Sequence, residues 1–407
     1  MASRQAITDL AAAMLSTRQM ATALDEPVRV VTGTGLVDPL PAANVVAGCL
    51  GYPPLTDGKD AEADFPFHGV VGRQLAVADV AEDLGRIPGP AWPEAEGQAR
   101  RVAADDFSAL CQRVLVTASD GTPVLAYVAG DPAAPPVLLS APCGMPARLV
   151  EPWMRHLASR ARVVTWESRG MFTGLDAFDD FDARADFDAV TGLEAQVNDA
   201  IAVMRALNLS GVHVAGLCGG AVVAAELAAA APSRVSSVTL WHGDFHLGDL
   251  APKTGHQRNL LGLMVMAAKS PQAAASVHRV VCQSMLGTAP DDLAAQLLYP
   301  YVTPRLFLRY CRLNGAIMQH DITTTLPDVK TPVLVVTSRT DSTAHPGGSV
   351  EVARQLPDAE LVVRDRGDHI SLFRGESGLL SLLDGYLGSP DQTDSSSPIM
   401  RGPGRQR

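Results

Sequence analysis

The sequence predicts an α/β protein: a doubly wound, mostly parallel sheet with a helical lid and an N-terminal extension. Three observations carry that expectation. From residue 112 onward, short continuous apolar runs alternate with helical patterns, as strands buried on both faces of a parallel sheet require. One of these runs, Val212-His213-Val214-Ala215, leads through Gly216-Leu217-Cys218-Gly219-Gly220 directly into a small-residue helix beginning Ala221-Val222-Val223. Between Trp241 and Pro332 the alternation stops, and about four helical stretches take its place.

In chain order, residues 1–107 do not share the later rhythm and are expected to form an extension of unknown fold. They offer a helix over 7–24, a Pro/Gly/Asp-rich middle over 38–67 and an amphipathic helix near 72–84. A Pro-rich linker, Ile87-Pro88-Gly89-Pro90-Ala91-Trp92-Pro93, follows. The main domain is expected over 108–388. It begins with Val114-Leu115-Val116 and Val124-Leu125-Ala126-Tyr127 on either side of Asp120-Gly121, a hairpin signal. Further strands are expected at Val137-Leu138-Leu139, Val163-Val164-Thr165-Trp166, Val212 to Ala215, Val238-Thr239-Leu240-Trp241, Val333-Leu334-Val335-Val336 and Leu361-Val362-Val363, with a helix over 192–207. The lid spans about 246–326, with helices near 256–269, 271–286, 291–298 and 303–318. Residues 389–407, rich in Ser, Pro, Gly and Asp, are expected to be disordered.

Composition narrows the function classes. The 407 residues are 47% hydrophobic and 19% charged, enough apolar content for a large core. The net charge of -11, without a cationic stripe interleaved with aromatics, argues against nucleic acid as a partner. No run reaches the length of a membrane span, and the first ten residues lack a signal peptide's apolar stretch. Cys49, Cys111, Cys143, Cys218, Cys282 and Cys311 show no paired spacing and no Cys-x-x-Cys. They read as reduced thiols, not as a zinc site or disulfide frame. A cytoplasmic location is expected, with no metal and no cofactor.

Most lone cysteines are inert small hydrophobes. Cys218 differs because it stands at the apex of a strand–turn–helix, the geometry of a nucleophile elbow. There the flanking glycines let strand and helix nearly touch, and the helix N-terminus favours a thiolate.

The order of motifs over roughly residues 110–388 resembles the α/β-hydrolase fold. Leu138-Leu139-Ser140-Ala141-Pro142 sits where that family forms half its oxyanion hole. Trp166-Glu167-Ser168-Arg169-Gly170-Met171 is similar to its Asp-x-Arg-Gly-x-Gly turn. Thr337-Ser338-Arg339-Thr340-Asp341 follows the penultimate strand and Gly367-Asp368-His369 the last. The resemblance implies Cys218 as nucleophile, His369 as base and Asp341 as the group orienting it. Asp244, in Trp241-His242-Gly243-Asp244-Phe245, is the alternative acid, since some members keep theirs at that strand. Glu167 and Arg169 read as a structural turn pair.

The Gly-x-Cys-x-Gly elbow resembles those of dienelactone hydrolases and polyhydroxyalkanoate synthases. That likeness implies acyl transfer or hydrolysis on an activated ester or thioester, in bacterial secondary-metabolite biosynthesis. The acyl group would be carried on coenzyme A or an acyl carrier protein. The extension could also build a homodimer contact. One departure matters: Pro142 occupies the position whose N–H should bind the oxyanion, and proline has none. Gly219 supplies one donor; the second falls to Cys143, to the Ser140 hydroxyl, or to nothing. A weak hole keeps open a lyase that eliminates acetate from an acetylated tetronate-type intermediate, as atypical members with an added N-terminal segment do. A non-catalytic binding protein is the third alternative.

Overall fold

The computed structural model describes residues 2–33, 37–58, 66–172, 181–287, 289–388 and 400–401. They divide into two compact units. One comprises residues 1–112, 172–174 and 275–307; the other comprises 113–171, 175–274 and 308–407.

The first unit is helical around a two-stranded parallel sheet, β1 (Val28–Val30) with β2 (Leu55–Asp57), Val28 facing Leu55. The helix expected over 7–24 forms as Ala2–Ala23, burying Leu10, Met14 and Met20. The helix expected near 72–84 is instead Pro66–Leu75 and a short Ala81–Gly85, parted where Ala76 turns left-handed at φ 48°. Two helices arise where prolines suggest loop and linker. Leu40–Leu50 carries Pro41 in its first turn and ends on left-handed Gly51, while Trp92–Ala103 carries Pro93 in its first turn. Proline in the first helical turn wastes no hydrogen bond, so here it starts helices. Part of the segment expected as lid belongs to this unit: the Gln296 amide donates to the Ser16 carbonyl and hydroxyl, both at 3.0 Å.

The second unit holds the sheet expected from the apolar runs. Its strands are β3 (Gln112–Thr117), β4 (Pro123–Ala129), β5 (Pro136–Ser140), β6 (Arg162–Trp166), β7 (Val212–Leu217), β8 (Val235–Trp241), β9 (Val333–Ser338) and β10 (Ala359–Arg364). The spatial order is β10-β9-β8-β7-β5-β6-β4-β3, parallel from β6 through β10, with β4 antiparallel to β6. Residues 389–407, expected to be disordered, lie outside the described residues apart from Met400–Arg401, which pair antiparallel with Leu361 and Glu360. Every residue of β7 is buried, and so are residues 220–225 at the start of the helix Gly220–Ala230 that leaves it. His213 within β7 bonds Ser237 and Thr239 of β8 at 2.8 and 3.1 Å. Burial pushes its pKa down to about 3, so this histidine is a neutral part of the core. The pairings Leu217–Trp241, Trp241–Val336 and Thr337–Val363 align the carboxyl ends of β7, β8, β9 and β10 as neighbours. That edge is where open α/β sheets bind ligands.

Candidate active site

Cys218 follows β7 with φ 53°, a left-handed conformation that costs a side-chain-bearing residue on the order of 1 kcal/mol or more. Its N–H donates to the Trp241 carbonyl at 3.0 Å, and its own carbonyl accepts from Ala221 at 3.0 Å. The turn is therefore pinned to both β8 and the helix it starts. Cys218 is half-buried between fully buried neighbours. The surrounding glycines are sterically required. A Cβ on Gly216 would lie 2.6 Å from the Ala221 Cα, and one on Gly220 only 2.2 Å from the Ser140 carbonyl oxygen. Gly220→Ala is thus expected to cost about 2–4 kcal/mol in urea unfolding, because the colliding atoms are backbone and cannot swing away.

Asp341 follows β9, and His369 opens the helix His369–Phe373 after β10. Asp368 caps that helix by accepting from Ser371 N–H at 2.8 Å, which fixes where the imidazole emerges. The His369 Nδ1 lies 2.8 Å from Asp341 Oδ2 and 3.1 Å from Oδ1. An ionised carboxylate only accepts, so Nδ1 carries the hydrogen and Nε2 is left for chemistry. The Asp341 carboxylate also accepts from the N–H groups of Thr343 and Ala344, at 2.9 and 3.2 Å. Burial alone would raise its pKa, but the hydrogen bonds from His242 and His369 hold it well below the usual carboxylate range. Burial likewise disfavours a charged His369, yet Cys218 and then Asp341 outweigh it and raise its pKa well above the ordinary imidazole value. Cys218 has this effect although no hydrogen bond of regular geometry joins it to Nε2. The site thus favours the protonated imidazole.

Asp244, the alternative acid, does not reach His369. Its carboxylate accepts from Gln257 Nε2 at 2.5 Å, and Gln257 in turn forms a capping box with Thr254 at the head of the helix Gly255–Ala267. The residue of that turn which does reach the site is His242, whose Nδ1 lies 2.7 Å from Asp341 Oδ2. No local motif marks it in the sequence, where the carboxylate of the Trp-His-Gly-Asp turn is the more obvious group. Its place directly after β8 was the available signal. His242, Asp341 and His369 bring ligand-type atoms within 4.8 Å of one another. Both Nδ1–H groups are spent on the carboxylate, so the cluster is a hydrogen-bond network.

On the opposite loop, the Cys143 thiol donates to Gln196 at 3.3 Å. Burial, partly offset by a hydrogen bond with Ser168, pushes it up to about 12, so it stays protonated. Ser140 and Cys143 line a cavity of about 20 Å³ with Ser168 and Gln196, room for about one water. The Gly144 N–H is spent on the Ser168 hydroxyl at 2.8 Å. Among the described residues, neither the Gly219 N–H nor the Cys143 N–H is spent on an acceptor. Over Gly219 stands Asn314, on the helix Pro304–Gln319: its Oδ1 is 3.4 Å from where a Gly219 Cβ would sit. Its amide nitrogen neighbours the Tyr310 hydroxyl (3.4 Å) and the thioethers of Met318 and Met264 (3.5 and 3.7 Å). Asn314 is a second residue the sequence did not single out.

Glu167 and Arg169 are structural as expected, but they are not partners. Glu167 accepts from Ala147 N–H at 2.9 Å and from the Tyr127 hydroxyl at 3.3 Å. Arg169 forks onto buried Asp199, at 2.7 Å for its Nε, and also reaches Asp120. Each buttresses a different loop around the site.

Known proteins extend the picture. An abhydrolase-type family model described as TAP-like protein matches residues 314–397, the stretch that holds Asp341 and His369. A protein of Azorhizobium caulinodans named as a candidate carbamate hydrolase, RutD, is 24% identical over 266 residues, 63% of this chain and 92% of that one. The protein of the same name from Agrobacterium fabrum is 27% identical over 250 residues, 59% of this chain and 87% of that one. Among solved structures, an esterase from Exiguobacterium antarcticum superposes with TM-score 0.53 at 15% identity, covering 68% of this chain and all (100%) of that one. The esterase RhEst1 from a Rhodococcus species gives 0.51 at 18%, covering 68% and 98%. Sheet order, strand directions and these likenesses agree: the chain has the α/β-hydrolase fold.

Proposed function

We propose that this chain is a thiol-dependent enzyme acting on an activated acyl ester or thioester. The observation that carries the reading is the left-handed Cys218 at the elbow, beside a buried His369 held by Asp341. In the first half-reaction the Cys218 sulfur attacks the carbonyl carbon and a C–S bond forms. The bond to the leaving group breaks, and His369 passes its proton to that group. In the second half, His369 takes a proton from water or another acceptor, which attacks the thioester and releases the sulfur as thiolate. Asp341 fixes the tautomer throughout.

The unspent amides of Gly219 and Cys143 are suited to the developing oxyanion, each donor worth on the order of 10²–10³ in rate. They also weaken the case for elimination, which rested on Pro142 having no N–H to give. The names of the relatives, which describe hydrolysis at a carbonyl, agree with this reading. Residues 251–274 contain Lys253, Arg258 and Lys269 and no acid, in a chain of net charge -11. Such a local excess suits an anionic acyl carrier, coenzyme A or an acyl carrier protein, and with it a role in secondary-metabolite biosynthesis.

Brief incubation with acetyl-coenzyme A or p-nitrophenyl acetate is expected to yield a single acetyl adduct by intact-mass spectrometry. No adduct, or one that persists in Cys218→Ala, would overturn the reading. A binding protein without catalysis would instead show iodoacetamide reacting no faster at Cys218 than at the other cysteines.

A further inference from the structure

His242 lies outside the triad, yet it is fully buried (0% exposed) and its Nδ1 donates to the same Asp341 oxygen that receives the His369 Nδ1. The two rings meet edge to face, with centroids 5.8 Å apart and planes at 86°. Simple packing does not account for this residue. Its backbone is left-handed at φ 47°, and its Nε2 is buried with no hydrogen-bond partner among the described residues. Each feature is destabilising, and an apolar residue would avoid the second and a glycine both. Its N–H donates to the Val336 carbonyl at 2.8 Å, so the turn itself is held by backbone. With Thr343 and Ala344 on Oδ1 and two imidazoles on Oδ2, the carboxylate has little freedom to rotate or to favour one ring.

We propose that His242 is a positioning residue that pins Asp341 and divides its negative charge between two imidazoles, so that His369 is aligned without being held too firmly as a cation. The inference rests on the acyl reading above, because the benefit falls in the second half-reaction. Once Cys218 is acylated its charge is gone, and His369 must be neutral to take a proton from the incoming acceptor. A carboxylate devoted wholly to His369 would keep it protonated and slow that step. Among the described residues, the other charged or titratable groups that act on the pair are Cys218 on the elbow, Asp244 on the His242 turn and His256 at the head of the helix Gly255–Ala267. His256 and His369 interact unfavourably as cations, while Asp244 and Asp341 attract the charged form of His256.

The test compares His242→Phe with His242→Gln, whose amide can still donate to Asp341. Deacylation of the acetyl enzyme formed from p-nitrophenyl acetate is followed from pH 5 to 9. For the Phe variant, the midpoint of the rising limb is expected to move up by about 0.5–1 pH unit, slowing deacylation about 3–10-fold below it. The Gln variant is expected to recover most of the shift. A folded Phe variant whose midpoint matches the unaltered enzyme overturns the proposal, as does a Gln variant no better than Phe. Imidazole ¹⁵N resonances of the unaltered protein give a second measure. A hydrogen-bonded Nδ1–H on His242 persisting across this range supports the proposal even where the Phe variant does not fold, and its absence refutes it. If no acetyl enzyme forms, the acyl reading fails, and the His369 titration followed by NMR in the two variants decides the role of His242 separately.

Discussion

Cys218→Ala is expected to lower kcat/KM by about 10⁴–10⁶-fold, the largest effect of any single substitution in this protein. Alanine keeps the Cβ and asks nothing new of the left-handed backbone, so circular dichroism and the unfolding midpoint should stay close to those of the unaltered protein. The loss then belongs to the sulfur alone. Cys218→Ser sharpens the point. A hydroxyl remains essentially un-ionised where a thiol can lend its proton to His369, so the serine variant should fall well below the parent despite being the residue commoner at such elbows. Equal rates for Ser and Cys would mean that the cationic His369 facing a charged sulfur is not the working state.

Asp341→Asn is expected to cost about 10⁴ in kcat, through geometry as much as charge. The carboxylate accepts from His242, His369, Thr343 and Ala344. An amide in its place puts an N–H₂ group against donors, and at least one imidazole must turn or change tautomer. The same substitution has a stability signature. Folding lowers the Asp341 pKa, so its contribution is complete above the unfolded value near 4 and is lost as pH falls through and below it. The thermal midpoint of the unaltered protein should therefore fall more steeply below pH 4 than that of the Asn variant. Parallel slopes in differential scanning calorimetry would show that Asp341 is not the group responsible.

The readable parts of the sequence were those in which one residue type has one local meaning. Unbroken runs such as Val333 to Val336 can hardly be anything but buried strand, and a cysteine between closely spaced glycines at a strand–helix junction has few structural uses. The parallel strand order then puts Asp341 and His369 where their positions after β9 and β10 imply. The prolines near residues 41 and 93 misled because proline breaks a helix from within but starts one from its first turn, and only the neighbouring turns decide which. His242 and Asn314 were hidden for a different reason. Neither belongs to a local pattern, and each acquires meaning only when β8 is laid beside β9, or when a helix about a hundred residues downstream is folded over Gly219. Residues 275–307 read as part of one lid over about 246–326 because periodicity reports a helix and not its partners, and those partners lie partly around Ser16.

The four strand ends of β7, β8, β9 and β10 carry Cys218, His242, Asp341 and His369 in that spatial sequence. Two adjacent addresses therefore meet beside His369, one after β8 and one after β9, and this chain fills the first with histidine and the second with aspartate. Both lie just past the last residues of their strands, and the bond from His242 to β9 is made by its backbone N–H, so the side chains can be exchanged without disturbing a strand. An ancestor with its acid after β8 and a descendant with it after β9 are then separated by loop changes alone, with intermediates that hold polar groups at both addresses. A site with a spare address can relocate an essential charge while continuing to work, and His242 marks the place such a move would use.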